Sequence, residues 1–427
     1  MSRTLTPRDA HAIVNLVMQE LTGQNGSIQK VTSDNFVSVG ELINQMPTEN
    51  VYNALSIPLL RTLIAARTYD DEFMIFNALD SGVYSSRMRK ISYLSKNAKP
   101  AGAWNTQLYT NLAAGFTAGE NESSGTPQST KSQWEQCPVV PKEIHFGGSS
   151  VWQHGITWHK YAARDAFTDE ATFNRFWAGA LTENANDIKS EKNAFRRVAL
   201  LNFLAGMYDL SASGTKVVNL TYEFNQKYGT SYTSAQLRTT YLKEFLAFFV
   251  AEFKTYSKNL KYRSLNYHVD LPETINGETY HLLRHTPYNR QRVILYEPLF
   301  IEAEAQVLPE IFRPEYLDLK TQYYGVQWWQ NENDPSAIDV VPSIPDLTAL
   351  SPTYGTQITG TRVQLDYVVG LIFDEDALMT DFQLDDVNTT PLEARKLFRN
   401  TWYSMSRNLI NDFSEKAVMF TMEDPTP

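Results

Sequence analysis

The stretch from Asp169 to about Tyr208 contains no proline and constrains this chain more than any other part of it. Thr168 is placed as an N-cap, and Asp169 and Glu170 put negative charge in the first turn, where the helix macrodipole favours it. At a rise of about 1.5 Å per residue, one helix over this span is about 60 Å long. That exceeds what a compact domain of this size needs. The apolar residues sit at its ends: Phe173, Phe176, Trp177 and Leu181 at one, Phe195, Val198, Leu201 and Leu204 at the other. Between them, 184–193 offers only Ile188 as a large apolar anchor. The pattern predicts one continuous helix over 170–205, exposed at Asn184–Asn193, in a thin, wide plate.

The chain has 427 residues, enough for two or three domains with sizeable cores. Hydrophobic residues make up 42% and charged ones 20%, the balance of a folded protein. Asp and Glu outnumber Lys and Arg by 48 to 38, a formal charge of −10, which argues against a dedicated nucleic-acid binder but not against a surface that faces nucleic acid. Tyrosine and phenylalanine dominate the aromatics, as in large interfaces as well as cores. Cys137 is the one cysteine, so the chain forms no internal disulfide and no thiolate metal cluster. No apolar signal segment opens it and no run reaches the ~18 apolar residues of a membrane span, so a reducing cytoplasm is the expected site of synthesis.

Upstream, Thr6-Pro7 opens a short amphipathic helix to about Leu21, and a second follows Thr48 with Val51, Leu55, Leu59 and Leu63 on one face and a kink at Pro58. Together they read as an arm. Residues 87–95 and 143–161 alternate like strands, the second with a glycine break that suggests a bulge. The polar stretch 97–136 between them fits a mobile tip ordered only against a neighbour. Downstream, Thr233-Ser-Ala-Gln236 is a capping box that opens a second helix, with Leu237, Tyr241, Phe245, Phe248, Phe249, Phe253, Tyr256 and Leu260 as a core stripe. Residues 290–312 read as strand then helix, and further strands are expected at 323–330, 337–344 and 363–373. Thr390-Pro-Leu-Glu393 reads as another capping box, 397–413 is ambiguous between helix and strand, and 417–422 reads as a final strand.

The chemistry-bearing residues are sparse. The acidic run Asp374–Asp381 with Asp385 and Asp386 has oxygen ligands for Ca²⁺ or Mg²⁺ but lacks the spacing of an EF-hand, and a solvated or subunit-facing loop is the simpler reading. His154 and His159 fall on opposite faces of a strand, and His281 and His285 share a face without a matching ligand, so no zinc site is expected. No Gly-x-Ser-x-Gly, Walker or Gly-x-Gly-x-x-Gly motif occurs. The expectation is a protein with no catalytic residues, no cofactor and no metal. Trp328-Trp329 can stack on a sugar or base, but buried packing or an intersubunit anchor is the favoured reading. Trp104 and Trp134, large side chains in a polar loop, are expected in a neighbour's pocket, with Lys96 and Lys99 beside them.

The order of these parts resembles tailed-phage major capsid proteins, the HK97-like capsid fold. Phe36-Val-Ser-Val-Gly40, Glu49-Asn-Val-Tyr-Asn-Ala-Leu55, Leu283-Arg-His-Thr-Pro287 and Ala303-Glu-Ala-Gln-Val307 are similar to that group's usual sequence. So are Gly370-Leu-Ile-Phe-Asp-Glu-Asp-Ala377 and Asn411-Asp-Phe-Ser-Glu-Lys-Ala-Val-Met-Phe420. The resemblance implies an α+β chain with an N-terminal arm (1–82) and an extended β-hairpin E-loop (83–160). It further implies a P domain with the spine helix (161–283), an α/β A domain (284–388) and C-terminal P-domain strands (389–427). It makes 397–413 a strand. The implied function is self-assembly into the icosahedral head shell, as hexamers and pentamers, around double-stranded DNA held without sequence-specific binding. It implies a separate scaffolding protein, a portal protein at one vertex, room for decoration proteins, no membrane, and assembly in the host bacterial cytoplasm into a virion. An isopeptide link from Lys96, Lys99 or Lys131, as in one member of the fold, needs a catalytic acid that the sequence does not reveal. The alternatives are another virion component, such as a tail or adaptor protein, and a carbohydrate-active enzyme or binding module.

Overall fold

The computed structural model describes residues 76–78, 87–95, 138–147, 150–159, 170–275, 278–306, 323–347, 356–393 and 395–424. The arm helices, the polar tip, Cys137, and Lys96, Lys99, Lys131, Trp104 and Trp134 lie outside these residues.

The long helix α1 runs unbroken over Glu170–Asp209. Its C-terminal part is buried almost all round, with Leu200, Phe203, Leu204, Ala205 and Met207 at 0–1% exposure. Phe203 stacks on Phe413 with ring centroids 5.1 Å apart. Gly206 lets the two elements approach, because a Cβ there would collide with the Phe413 ring. The middle of the helix differs from expectation. Asn184, Ala185, Ile188 and Asn193 are buried, while Asp187 and Ser190 are exposed. Two amides and an alanine occupy positions that the apolar pattern left to solvent, so one face of 184–193 is packed rather than wet.

That face lies on a four-stranded sheet of order β1-β15-β16-β4. Its strands are β1 (Asn77–Ala78), β4 (Ser150–His159), β15 (Leu378–Thr389) and β16 (Phe398–Asn411). Ile188 packs with Tyr403 and Met405 of β16. Of 397–413, residues 398–411 are strand, as the resemblance implied. Thr390 and Glu393 open no helix: they serve the turn between β15 and β16, where the Thr390 hydroxyl accepts from the Asn400 N–H at 3.0 Å and the Glu393 carboxylate accepts from the Lys396 N–H. The same residue types satisfy backbone donors in turns as at helix ends.

Two strands, β2 (Arg87–Leu94) and β3 (Val140–Gly147), form a separate antiparallel hairpin stem. The alternating stretch 143–161 is not one bulged strand: Gly147 ends β3, which pairs with β2, and β4 pairs with β16 in another sheet.

A second, five-stranded sheet has the order β5-β17-β14-β8-β9. It comprises β5 (Lys216–Asn219), β8 (Gln291–Tyr296), β9 (Tyr323–Val326), β14 (Val368–Asp374) and β17 (Ala417–Thr421). Every residue of β14 and β17 is buried, which is why these runs are continuously apolar rather than alternating. Asn219 caps α2 (Leu220–Tyr228), and Thr233 with Gln236 completes the expected capping box on α3 (Ser234–Thr239). The helix expected after it is broken: α4 (Leu242–Lys261) starts afresh beyond Tyr241, whose φ and ψ of −113° and 27° leave the helical region. The stripe Phe245, Phe248, Phe249 and Phe253 is core, and Phe249 meets Phe300 of α5 (Glu297–Gln306) at 5.7 Å.

The remaining strands are short: β6 (Glu273–Ile275) with β7 (Glu278–Tyr280), β10 (Ile338–Val340) with β13 (Val363–Leu365), and β11 (Ser343–Pro345) with β12 (Gln357–Thr359). The stretches 337–344 and 363–373 are each divided between two strands, because Pro342 and the Asp366 turn interrupt them. The elements together make an α+β architecture: a stand-off hairpin, a long helix over one sheet, a second mixed sheet, and a C-terminal strand inserted between two of its members.

Candidate interaction surfaces

The hairpin stem presents two unlike faces. Outward stand Ile91, Tyr93 and Val139, at 47%, 65% and 76% exposure, with an Arg89–Glu143 ion pair of 3.0 Å among them. Inward stand Ser92, Leu94, Val140, Ile144 and Phe146. Leu94 and Val140 pack on Tyr280 and Leu282, and Phe146 packs on Met379 and Ile410.

Between these two small apolar clusters lies a charged one. Lys90 Nζ donates to Asp412 Oδ2 at 2.6 Å and to Glu415 Oε1 at 2.5 Å. Arg284 Nη2 lies 3.2 Å from the same Glu415 oxygen and donates to Ser92 Oγ at 2.8 Å. Ser414 gives Asp412 both its N–H and its hydroxyl. Burial alone would lower the Lys90 pKa, but the carboxylates of Asp412 and Glu415 outweigh it and hold the ammonium above its ordinary value. The cluster ties the hairpin to a turn more than three hundred residues away in sequence, and no sequence pattern announces it.

Two further titratable groups are buried nearby. Lys416 is fully buried and donates to Tyr262 O at 2.7 Å and Ser264 Oγ at 2.8 Å; burial brings its pKa down to about 8. His268, also fully buried, has Nε2 2.7 Å from Leu282 O and Nδ1 3.3 Å from Asn266 O. Burial lowers its pKa, against the pull of those carbonyls and with the push of Lys416 and Arg284. A depressed histidine contributes stability that is present above about pH 6.5, its unfolded value, and is lost as pH falls through the folded value. Subunit stability, followed by urea midpoint, should therefore fall on acidification below about pH 6.5. His268→Gln, which still donates to Leu282 O and does not titrate, should flatten that part of the profile. An unchanged profile would count against it.

Of the acidic run read as a solvated or subunit-facing loop, only 375–377 form a turn between strands. Asp374 is buried, and residues from Leu378 onward are strand. Arg290 contacts Asp374 and Asp376, and Arg292 meets Glu375 at 2.6 Å, so these carboxylates are matched by arginines. His154 lies 3.7 Å from both Asp187 and Glu191 of α1, His159 lies beside Phe398, and His281 Nδ1 is 2.7 Å from Asp270. Among the described residues no three His, Cys, Asp or Glu side chains come together as a metal site. No described helix is long and apolar enough to cross a membrane.

The tryptophan pair divides. Trp329 is 1% exposed and its indole donates to Val368 O at 2.9 Å, so the anchoring expected of it is made inside its own subunit. Trp328 is half-buried beneath Arg197, whose guanidinium carbon lies 3.4 Å from the ring centroid. The exposed indole that sequence reasoning missed is Trp402, 38% exposed and lying over Gly155 of the neighbouring strand. Alongside the hairpin base, a cavity of about 510 Å³ is bordered by Ile144, Phe146, Val269, Leu271, Pro345 and Phe413.

No family model and no curated protein matches the sequence. Among solved structures, the chain is similar to one described as the capsid structure of Staphylococcus phage Andhra, at 11% identity over 84% of this chain and 86% of that one, with a TM-score of 0.47. A structure of head fiber and inner core protein of native bacteriophage P68 matches at 11% identity over 83% and 87%, with a TM-score of 0.46. The bacteriophage PhiM1 mature capsid matches at 9% over 84% and 90%, with a TM-score of 0.43. The hairpin stem, the forty-residue helix over its sheet, the second mixed sheet and the C-terminal strand are the main parts of this arrangement.

Proposed function

We propose that this chain is the major capsid protein of a tailed bacteriophage, a non-catalytic subunit that assembles into the icosahedral shell around double-stranded DNA. The observation that carries the reading is the geometry of α1 and the hairpin. The C-terminal part of a 40-residue helix is locked in a core and its middle packs on a sheet, while a two-stranded stem that exposes Ile91, Tyr93 and Val139 is clamped to the body at its base. Exposed apolar side chains on a stem held off the body suit contact with a neighbouring subunit. Hexamers and pentamers make heterologous contacts of this kind close into rings.

Under this reading the segments 1–82, 83–160, 161–283, 284–388 and 389–427 are arm, E-loop, P domain, A domain and C-terminal P-domain strands. Trp104, Trp134, Lys96, Lys99 and Trp328 are the side chains assigned to contacts with neighbouring subunits. A separate scaffolding protein, a portal at one vertex and possible decoration proteins are the further partners. Assembly takes place in the host bacterial cytoplasm, and the end point is the virion.

Negative-stain imaging of the purified chain with its scaffold tests the reading, and closed shells are the expected result. Removing 115–133 should leave a folded subunit that forms no stable shells; normal particles from that variant would refute the role given to the loop. Boiled, reduced particles should run as one band near 48.7 kDa, and a ladder would reveal covalent links between subunits.

A further inference from the structure

The C-terminal end of α4 carries charge of a sign opposite to that of the whole chain. From Glu252 to Asp270 there is no carboxylate, and Lys254, Lys258, Lys261 and Arg263 fall within ten residues. All four are exposed. Lys254, Lys258 and Lys261 follow helical spacing along one solvent face, where i and i+4 positions are about 6 Å apart. Tyr262, at 67% exposure, and Tyr288, at 42%, stand among them, and Lys261 Nζ lies 5.2 Å from the Tyr288 ring centroid. The acid preceding the patch is already engaged: Glu252 pairs with Lys227 at 3.1 Å.

We propose that this patch binds the phosphate backbone of nucleic acid without reading its sequence. The proposal rests on the shell reading, because the enclosed duplex is the polyanion within reach of such a surface. A bland role covers only part of the pattern. Lys258 and Lys261 lie in the last turn of α4, where any cation offsets the helix's negative end. Lys254 lies a turn too early for that, and Arg263 lies past the helix, where it donates to Ser95 Oγ. Two exposed tyrosines beside cations suit phosphates and sugars, and the patch lacks the apolar centre of a protein contact. The net charge of −10 then has a consequence: repulsion elsewhere confines the polyanion to this patch and keeps the contact weak and reversible.

The test is fluorescence polarisation of a labelled duplex of arbitrary sequence with the full-length chain, between about 50 and 200 mM salt. Four phosphate contacts predict a slope of log K against log salt near about −3.6. The triple variant Lys254→Ala/Lys258→Ala/Lys261→Ala should lose about 2.7 units of that slope and at least about tenfold in affinity at the lowest salt. The corresponding triple arginine variant should retain both, which separates loss of charge from loss of fold. Lys243→Ala, at the other end of α4, should change neither. An unchanged slope in the alanine variant overturns the proposal. So does tight binding of polyglutamate, abolished by the alanine substitutions, with no binding of duplex, since the partner would then be an acidic protein. Imaging of the same preparations keeps the two readings apart. Shells without affinity for duplex defeat the patch and leave the capsid reading standing, and duplex binding without shells does the reverse.

Discussion

Replacing Lys90 with methionine should cost the subunit about 3 kcal/mol or more, the range seen when one partner of a buried charge cluster is removed. The shape of the side chain is kept, so the loss reports charge. Asp412 and Glu415 would be left nearly buried, at 2% and 8% side-chain exposure, with Arg284 as their remaining cation. The deficit should be partly recovered by Glu415→Gln in the same chain. It should also shrink in mild acid. Burial already lifts the Glu415 carboxyl above its ordinary value, against Lys90 and Arg284, and without Lys90 it takes up a proton more readily still. Urea unfolding measures the stability, and limited proteolysis of the hairpin shows where it was lost. A deficit under about 1 kcal/mol, the worth of an exposed pair, would mean that the clamp does not hold the stem.

The second large effect is expected from Ser190→Pro. Ser190 is exposed in the middle of α1, so the substitution removes no packing. Proline there deletes a backbone hydrogen bond and clashes with the preceding turn, at about 3 kcal/mol or more. Ser190→Ala, a better helix former, is the control and should be neutral or slightly stabilising. If the spine must be straight to carry subunit contacts, the proline variant should still fold its core around Leu200–Leu210 but form no closed shells. Regular particles from it would show that the helix need not be continuous.

Local signals were read correctly where the residues that follow them carry an agreeing pattern. The Thr233–Gln236 capping box, the apolar runs 368–373 and 417–420, and the aromatic face of α4 follow from capping geometry, continuous burial and periodicity. Misreadings came where a residue type has two uses. Thr390 and Glu393 bind turn N–H groups as readily as helix ends, and Asn184 and Asn193 are polar yet face the sheet. The short β5 and α2 carried too few residues for a period to show. The clamp was invisible for another reason: Lys90, Arg284, Asp412 and Glu415 are ordinary surface residues until tertiary structure brings them together. Trp402 was overlooked because an isolated aromatic in an ambiguous segment gives no sign of which side it faces.

The place of β17 sets the timing of a subunit's birth. This strand, 417–421, sits between β5 and β14, so the sheet that organises the core lacks an inner member until those residues are translated. Its register runs Lys216 to Val418 and Phe373 to Ala417, pairings of very different sequence separation, and non-local pairings of the first kind slow folding. At about 5–20 residues per second, the ribosome holds the earlier elements for tens of seconds before the sheet can close. A nascent chain with an open sheet cannot yet present a finished subunit surface. Synthesis of 417–421 thus acts as a checkpoint: chains cut short before this strand cannot close the core, without any factor that inspects them.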